Sequence, residues 1–115
     1  MKIYTAIALL LLSHLSLTYA ADLAKGKEIY TQRCVTCHGA EGAGDGPVAL
    51  SLPPEMKPRN LQNGDFKVTK DDVKMKDVIQ KGGAAHGLNP LMPPHSDITG
   101  ANLDALVAFV KSLKK

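Results

Sequence analysis

The chain has 115 residues, of which 44% are hydrophobic and 22% charged, and its formal net charge is +3. That length fits one domain once a leader is set aside, and so slight a positive excess gives no support for nucleic-acid binding. With no tryptophan, three tyrosines and two phenylalanines, the core is short of large side chains and calls for a staple or a bound group.

Met1 and Lys2 open the chain, followed by an apolar run from Ile3 to Leu17 and by Thr18-Tyr19-Ala20 before Ala21. A positive start, an apolar middle and small residues before a cut describe a secretory signal peptide. Residues 1–20 are therefore expected to be cleaved after Ala20, and residues 21–115 to be exported to the periplasm as a single domain. Ser13 and His14 interrupt the run, which falls short of the roughly 20 apolar residues of a membrane span. An uncleaved anchor is accordingly the weaker reading. Loss of the leader also removes Lys2, lowering the net charge by one.

From Asp22 to Cys34 the residues Leu23, Ile29, Tyr30 and Cys34 recur at helical spacing, with Gly26 on the same side. Asp22 is placed to cap this helix. At its end stands Cys34-Val35-Thr36-Cys37-His38, which holds both cysteines of the chain and a histidine directly after them. The spacing is that of covalent haem attachment: each thiol adds to one vinyl group of the porphyrin, and the imidazole lies beneath the iron. Other readings fare worse. A structural zinc site needs two more ligands in a short-spaced pair, and His86 and His95 are too far apart. A thioredoxin-like pair belongs to a strand-helix unit, and no strand-like run precedes Cys34. A Cys34–Cys37 disulfide would close a tiny loop to little effect.

Between Gly39 and Leu61, four glycines and four prolines mark a loop region. A second helix is expected from about Lys70 to Lys81, capped by Thr69, with Asp72 in its first turn and Met75, Val78 and Ile79 as its inner stripe. Gly82-Gly83 stops it. Residues 84–97 read as a loop containing Asn89-Pro90 and Met92-Pro93-Pro94. Thr99 then caps a final helix with Leu103, Leu106, Val107, Val110 and Leu113 on one face and Phe109 beside it. No strand pattern of useful length occurs. The pattern is that of an all-α small domain with long loops.

Over residues 22–113 the chain resembles the class I cytochrome c family, in a small mono-haem bacterial form. Gly26-Lys27-Glu28-Ile29-Tyr30 leads into Cys34-Val35-Thr36-Cys37-His38-Gly39 as in the family's N-terminal helix. Leu91-Met92-Pro93-Pro94 is similar to its distal-ligand loop, and Leu106-Val107-Ala108-Phe109-Val110-Lys111 to its C-terminal helix. The resemblance implies three to four helices wrapped round one haem c bound through Cys34 and Cys37. It implies that the terminal helices cross at Gly26, with Tyr30 against Leu106, Phe109 or Val110. It further implies His38 and Met92 as the axial ligands, since thioether sulfur favours ferrous iron. Met75 is then a core residue, Met56 lies too near the proximal loop, and His86 and His95 are the competing ligands. The Pro47 carbonyl is the implied acceptor for the His38 N–H. Arg59 and Asn60 are the implied partners of the haem propionates. Many family members place a tryptophan there, and this chain has none, which weakens the propionate assignment most.

Iron ligated on both faces exchanges single electrons and offers no open position to a substrate. The expected function is a soluble, monomeric one-electron carrier, with one redox protein as donor and another as acceptor, and not an enzyme. Two alternatives stand beside it: a haem subunit feeding electrons to a larger oxidoreductase, and a haem enzyme or sensor with a labile distal ligand. Lys67, Lys70, Lys74, Lys76 and Lys81 cluster in and near the second helix. Interleaved with Asp71, Asp72 and Asp77, they read first as a solvated face, and second as a docking surface for an acidic partner.

Overall fold

The structure is a computed structural model that describes the backbone of residues 2–64, 66 and 71–115. In the first helix, of residues 2–21 only the side chains of His14 and of residues 17–20 are described. The helices are α1 (Lys2–Arg33), α2 (Val35–His38), α3 (Pro47–Leu50), α4 (Asp72–Lys81) and α5 (Gly100–Ser112). Three 3-10 turns, Pro54–Met56, Leu61–Asn63 and Ala84–His86, punctuate the loops. No strand occurs among the described residues. The all-α expectation therefore holds, with three long helices and two of a single turn.

α1 begins far upstream of the expected start at Asp22 and runs 32 residues without a break. The reason is local: neither glycine nor proline occurs before Gly26, so nothing interrupts the i→i−4 ladder. Leu17 and Tyr19 stand in solvent on this stretch. Among the described residues, no helix is long and apolar enough to cross a membrane.

The core lies where α1, α4 and α5 meet. Tyr30 from α1, Met75 and Ile79 from α4, Ile98, and Leu103, Leu106, Val107 and Val110 from α5 form one buried cluster. Tyr30, Leu106 and Val107 are its most deeply buried large side chains; each removes apolar area worth about 1.5–3 kcal/mol. Met75 and Ile79 of the expected α4 stripe and the expected α5 stripe face it, Met75 as a core residue, while Val78 is buried outside this cluster. Leu113, expected on the α5 face, is half-buried at its margin.

α1 and α5 approach closely at Gly26. A Cβ there would collide with the Ala105 carbonyl oxygen and lie 2.7 Å from the Phe109 Cβ. One turn on, Tyr30 and Phe109 pack with ring centroids 5.2 Å apart and planes tilted by 56°, a favourable aromatic arrangement. The implied crossing of the terminal helices is thus observed.

The caps depart from expectation. Asp71, not Thr69, caps α4, its carboxylate accepting from the Lys74 N–H at 2.8 Å; Thr69 lies outside the described residues, as do Lys67 and Lys70. Thr99 occupies the position before α5 but makes no side-chain capping bond. Gly82 closes α4 at φ +80°, and its N–H reaches the Val78 carbonyl.

Candidate functional site

α1 stops at Arg33, and the next five residues form one further helical turn. Cys34 N–H bonds the Tyr30 carbonyl at 2.8 Å, and His38 N–H bonds the Cys34 carbonyl at 2.9 Å. Residues three and four apart share a face of such a turn, so Cys34, Cys37 and His38 are presented together. Gly39, at φ +83°, ends it. The following loop folds back: Gly44 N–H donates to the His38 carbonyl at 2.8 Å and Gly46 N–H to the Cys37 carbonyl at 3.1 Å. From beneath, the buried Tyr30 hydroxyl donates to the Gly39 carbonyl at 2.8 Å. The motif is therefore anchored on both sides by backbone bonds.

Cys34 and Cys37 are not joined in a disulfide. Burial, partly offset by the Arg33 charge, pushes the Cys34 thiol up to about 11. Among the described residues, no cluster of three or more histidine, cysteine, aspartate or glutamate side chains is arranged to hold a metal ion.

Burial lowers the His38 pKa and favours the neutral ring; the nearby Arg59 backbone opposes this and His95 adds to the lowering. Its Nδ1 is buried and has no hydrogen-bond partner. The structure thus does not bring the Pro47 carbonyl to it. Pro47 is exposed at the head of α3, where carbonyls run along the helix axis. A buried, neutral imidazole with an unpartnered ring nitrogen suits a metal-ligating histidine. The residues present therefore fit a haem.

Met92 sits on the loop after α4, half-buried against the same apolar cluster that receives Cys34 and Val35. Its carbonyl accepts from Gly83 N–H at 3.0 Å, and its own N–H donates to the Asn89 carbonyl at 3.2 Å. Asn89 in turn donates from Nδ2 to the Met56 carbonyl at 2.5 Å and accepts at Oδ1 from Leu91 N–H at 2.9 Å. Gly82 and Gly83 make room for this loop: a Cβ on Gly82 would lie 2.9 Å from the Met92 carbonyl oxygen, and one on Gly83 would strike the Asn89 carbonyl. The attachment turn and the Met92 loop hence abut one shared core.

Of the competing histidines, His95 is engaged, whereas His86, like His38, has a buried ring nitrogen with no hydrogen-bond partner. His86 Nε2 lies 3.2 Å from Asp77 Oδ2, close enough for an ion pair but without hydrogen-bond geometry. His95 Nδ1 lies 3.2 Å from Arg33 Nη2. Asn60 uses its side-chain oxygen to accept from Gln62 N–H at 2.8 Å, capping the turn Leu61–Asn63. Sequence reasoning missed the Tyr30 hydroxyl bond and the contact of Arg33 with His95 and Asp97 on the Met92 loop.

Fold and site together define an all-helical domain that offers two thiols and a neutral imidazole on one turn, with a methionine loop packed on the same core. The cytochrome c family model matches residues 23–114, and the chain belongs to that family. Membership of that family implies a covalently bound c-type haem and haem-based electron transfer. Among solved structures, it is similar to a chain of the reducing HAO-like protein complex of Kuenenia stuttgartiensis. The two share 31% identity with a TM-score of 0.67, over 78% of this chain and 41% of that one. This chain thus spans well under half the length of that neighbour. No curated protein matches.

Proposed function

We propose that the protein is a periplasmic one-electron carrier holding one haem c, joined to Cys34 and Cys37 and ligated by His38 and Met92. When bound, the haem supplies Fe(III)/Fe(II) exchange. The observation that carries the reading is the buried, neutral His38 with an unpartnered ring nitrogen, next to a Met92 loop packed on the same core. Met92 donates a soft sulfur that favours the ferrous state. Apolar packing by Val35, Leu61 and Phe66 excludes water and lowers the local dielectric. With both axial positions filled, nothing is left open for a substrate, and the protein works between one donor and one acceptor as a soluble monomer. The Arg59 guanidinium and the Asn60 amide are assigned to the propionates. Residues 1–20 act as a leader removed on export.

Visible spectra of the purified protein test the ligation. The oxidised form should show the weak far-red sulfur-to-iron band, and the reduced form should resist carbon monoxide. Met92→Ala should abolish the band, admit carbon monoxide and lower the potential. A band that survives Met92→Ala would move the ligand role elsewhere, and opening of the iron by His86→Ala or His95→Ala would make this a bis-histidine cytochrome.

A second reading has its own support. The similar solved chain belongs to a complex and is longer than this one, which favours a haem subunit serving a larger oxidoreductase. Stoichiometric co-purification with a partner from the native membrane-free fraction distinguishes it from a free carrier.

A further inference from the structure

We infer that Arg33 and Asp97 form a clamp that positions the Met92 loop over the attachment turn, an inference resting on Met92 as the distal ligand. Arg33 is the last residue of α1, directly before Cys34. Its guanidinium grips both carboxylate oxygens of Asp97, Nη1 donating to Oδ2 at 2.7 Å and Nη2 to Oδ1 at 2.9 Å. The same Nη2 lies 3.2 Å from His95 Nδ1. His95 and Asp97 follow Met92 by three and five positions. One side chain at the attachment turn thus reaches two residues of the loop that carries the sulfur.

Besides the Asn89–Met56 bond, the loop's other fastenings come from α4 and the Gly83 just after it. Gly83 N–H donates to the Met92 carbonyl at 3.0 Å, His95 N–H to the Ile79 carbonyl at 2.9 Å, and Gln80 Nε2 to the Ile98 carbonyl at 3.0 Å. These tie the loop to a helix that is remote in sequence from the haem anchor. Arg33 ties it to the anchor itself. Were Met92 released by the loop swinging away from the attachment turn, that motion would part Arg33 from Asp97 and His95. A bidentate guanidinium–carboxylate pair resists parting through two parallel bonds. Its side chains are 37% and 63% exposed, so water and salt screen it and its effect on opening is modest.

The test uses ferric holoprotein and imidazole as the probe ligand, with uptake followed by loss of the far-red band. Arg33→Gln and Asp97→Asn should each speed uptake about two- to five-fold. The double variant should be no faster than either, because both substitutions remove one contact. Arg33→Lys keeps the charge but loses the fork, and should fall between wild type and Arg33→Gln. Added salt should speed uptake by wild type and leave the double variant unchanged. A residue of merely structural importance would shift the unfolding midpoint without this salt-dependent, non-additive pattern. Uptake equal to wild type in every variant, or single effects that add in the double, overturns the clamp while the band in wild type upholds the ligand. A wild type lacking the band, or a band that survives Met92→Ala, overturns the ligand and the clamp together.

Discussion

Asp97 shows how a single side chain translates into a pH dependence. The hydrogen bond from Arg33, with smaller help from the Arg33 and His95 charges, holds its carboxyl below the usual carboxylate range, against a small opposing effect of burial. An acid whose folded pKa lies below its unfolded value, about 3.9, stabilises the fold fully above that unfolded value. The contribution disappears as pH falls through the folded value. Asp97→Asn should therefore flatten the acid limb of the stability profile below about pH 5, as read from denaturant midpoints of holoprotein across pH. An acid limb identical in variant and wild type would show that other carboxylates carry it. At this scale, legibility in the sequence follows the kind of group involved. Cys34, Cys37 and His38 could be read directly because their chemistry is local and their spacing is unusual. Arg33 and Asp97 are 64 positions apart, with no pattern linking them, so only the fold discloses the pair. The Arg59 backbone lies close enough to His38 to affect its titration, and a backbone group is one that every residue carries and no sequence can mark.

Elements were legible to the extent that their sequences contain stops. Gly82 ends α4 and Gly39 ends the attachment turn, both at positive φ, and both ends fall where expected. The start of α1 was misjudged because Asp22 is a good cap but is preceded by twenty residues with nothing to break a helix. Capping preference decides where a helix starts only when the chain before it prefers another conformation. The crossing of α1 on α5 is the element-scale feature most open to test. At Gly26 the obstacle is the Ala105 carbonyl, a backbone atom, which cannot rotate aside as a flexible side chain would. Gly26→Ala should consequently force the helices apart and cost about 1–3 kcal/mol through overpacking, despite the better helix propensity of alanine. Denaturant unfolding of the holoprotein measures this, and the far-red band should persist, since the Met92 loop is fastened to α4. A neutral or stabilising effect would mean that the crossing is looser than the geometry at Gly26 implies.

At the scale of the whole molecule, the question is whether charge steers the protein to its partners. Of the lysines that cluster in the sequence, Lys76 and Lys81 are neutralised by neighbouring carboxylates, while Lys67 and Lys70 lie outside the described residues. Lys76 pairs with Asp104 at 2.5 Å, Lys81 with Asp77 at 2.8 Å and Lys111 with Asp72 at 2.6 Å; at the C-terminus Lys115 pairs with Glu41 at 2.9 Å. Exposed pairs of this kind add little stability, but they cancel charge where a partner would feel it. Two of them also join α4 to α5, so the cancellation extends across both helices rather than along one. A face of alternating sign has a field that decays within a few ångströms, well inside the Debye length of about 10 Å at 0.1 M salt. Long-range steering needs an unbalanced patch, and what this surface offers is short-range complementarity. Electron transfer with a redox protein partner should then depend weakly on salt, changing less than about three-fold between low and physiological ionic strength. Replacing Lys74 and Lys76 with glutamate should leave the reduction potential in place and alter the bimolecular rate only slightly. Stopped-flow rates across a salt series decide the matter. A fall on the order of ten-fold or more with added salt, abolished by those two substitutions, would reinstate the lysine cluster as the docking surface for an acidic partner.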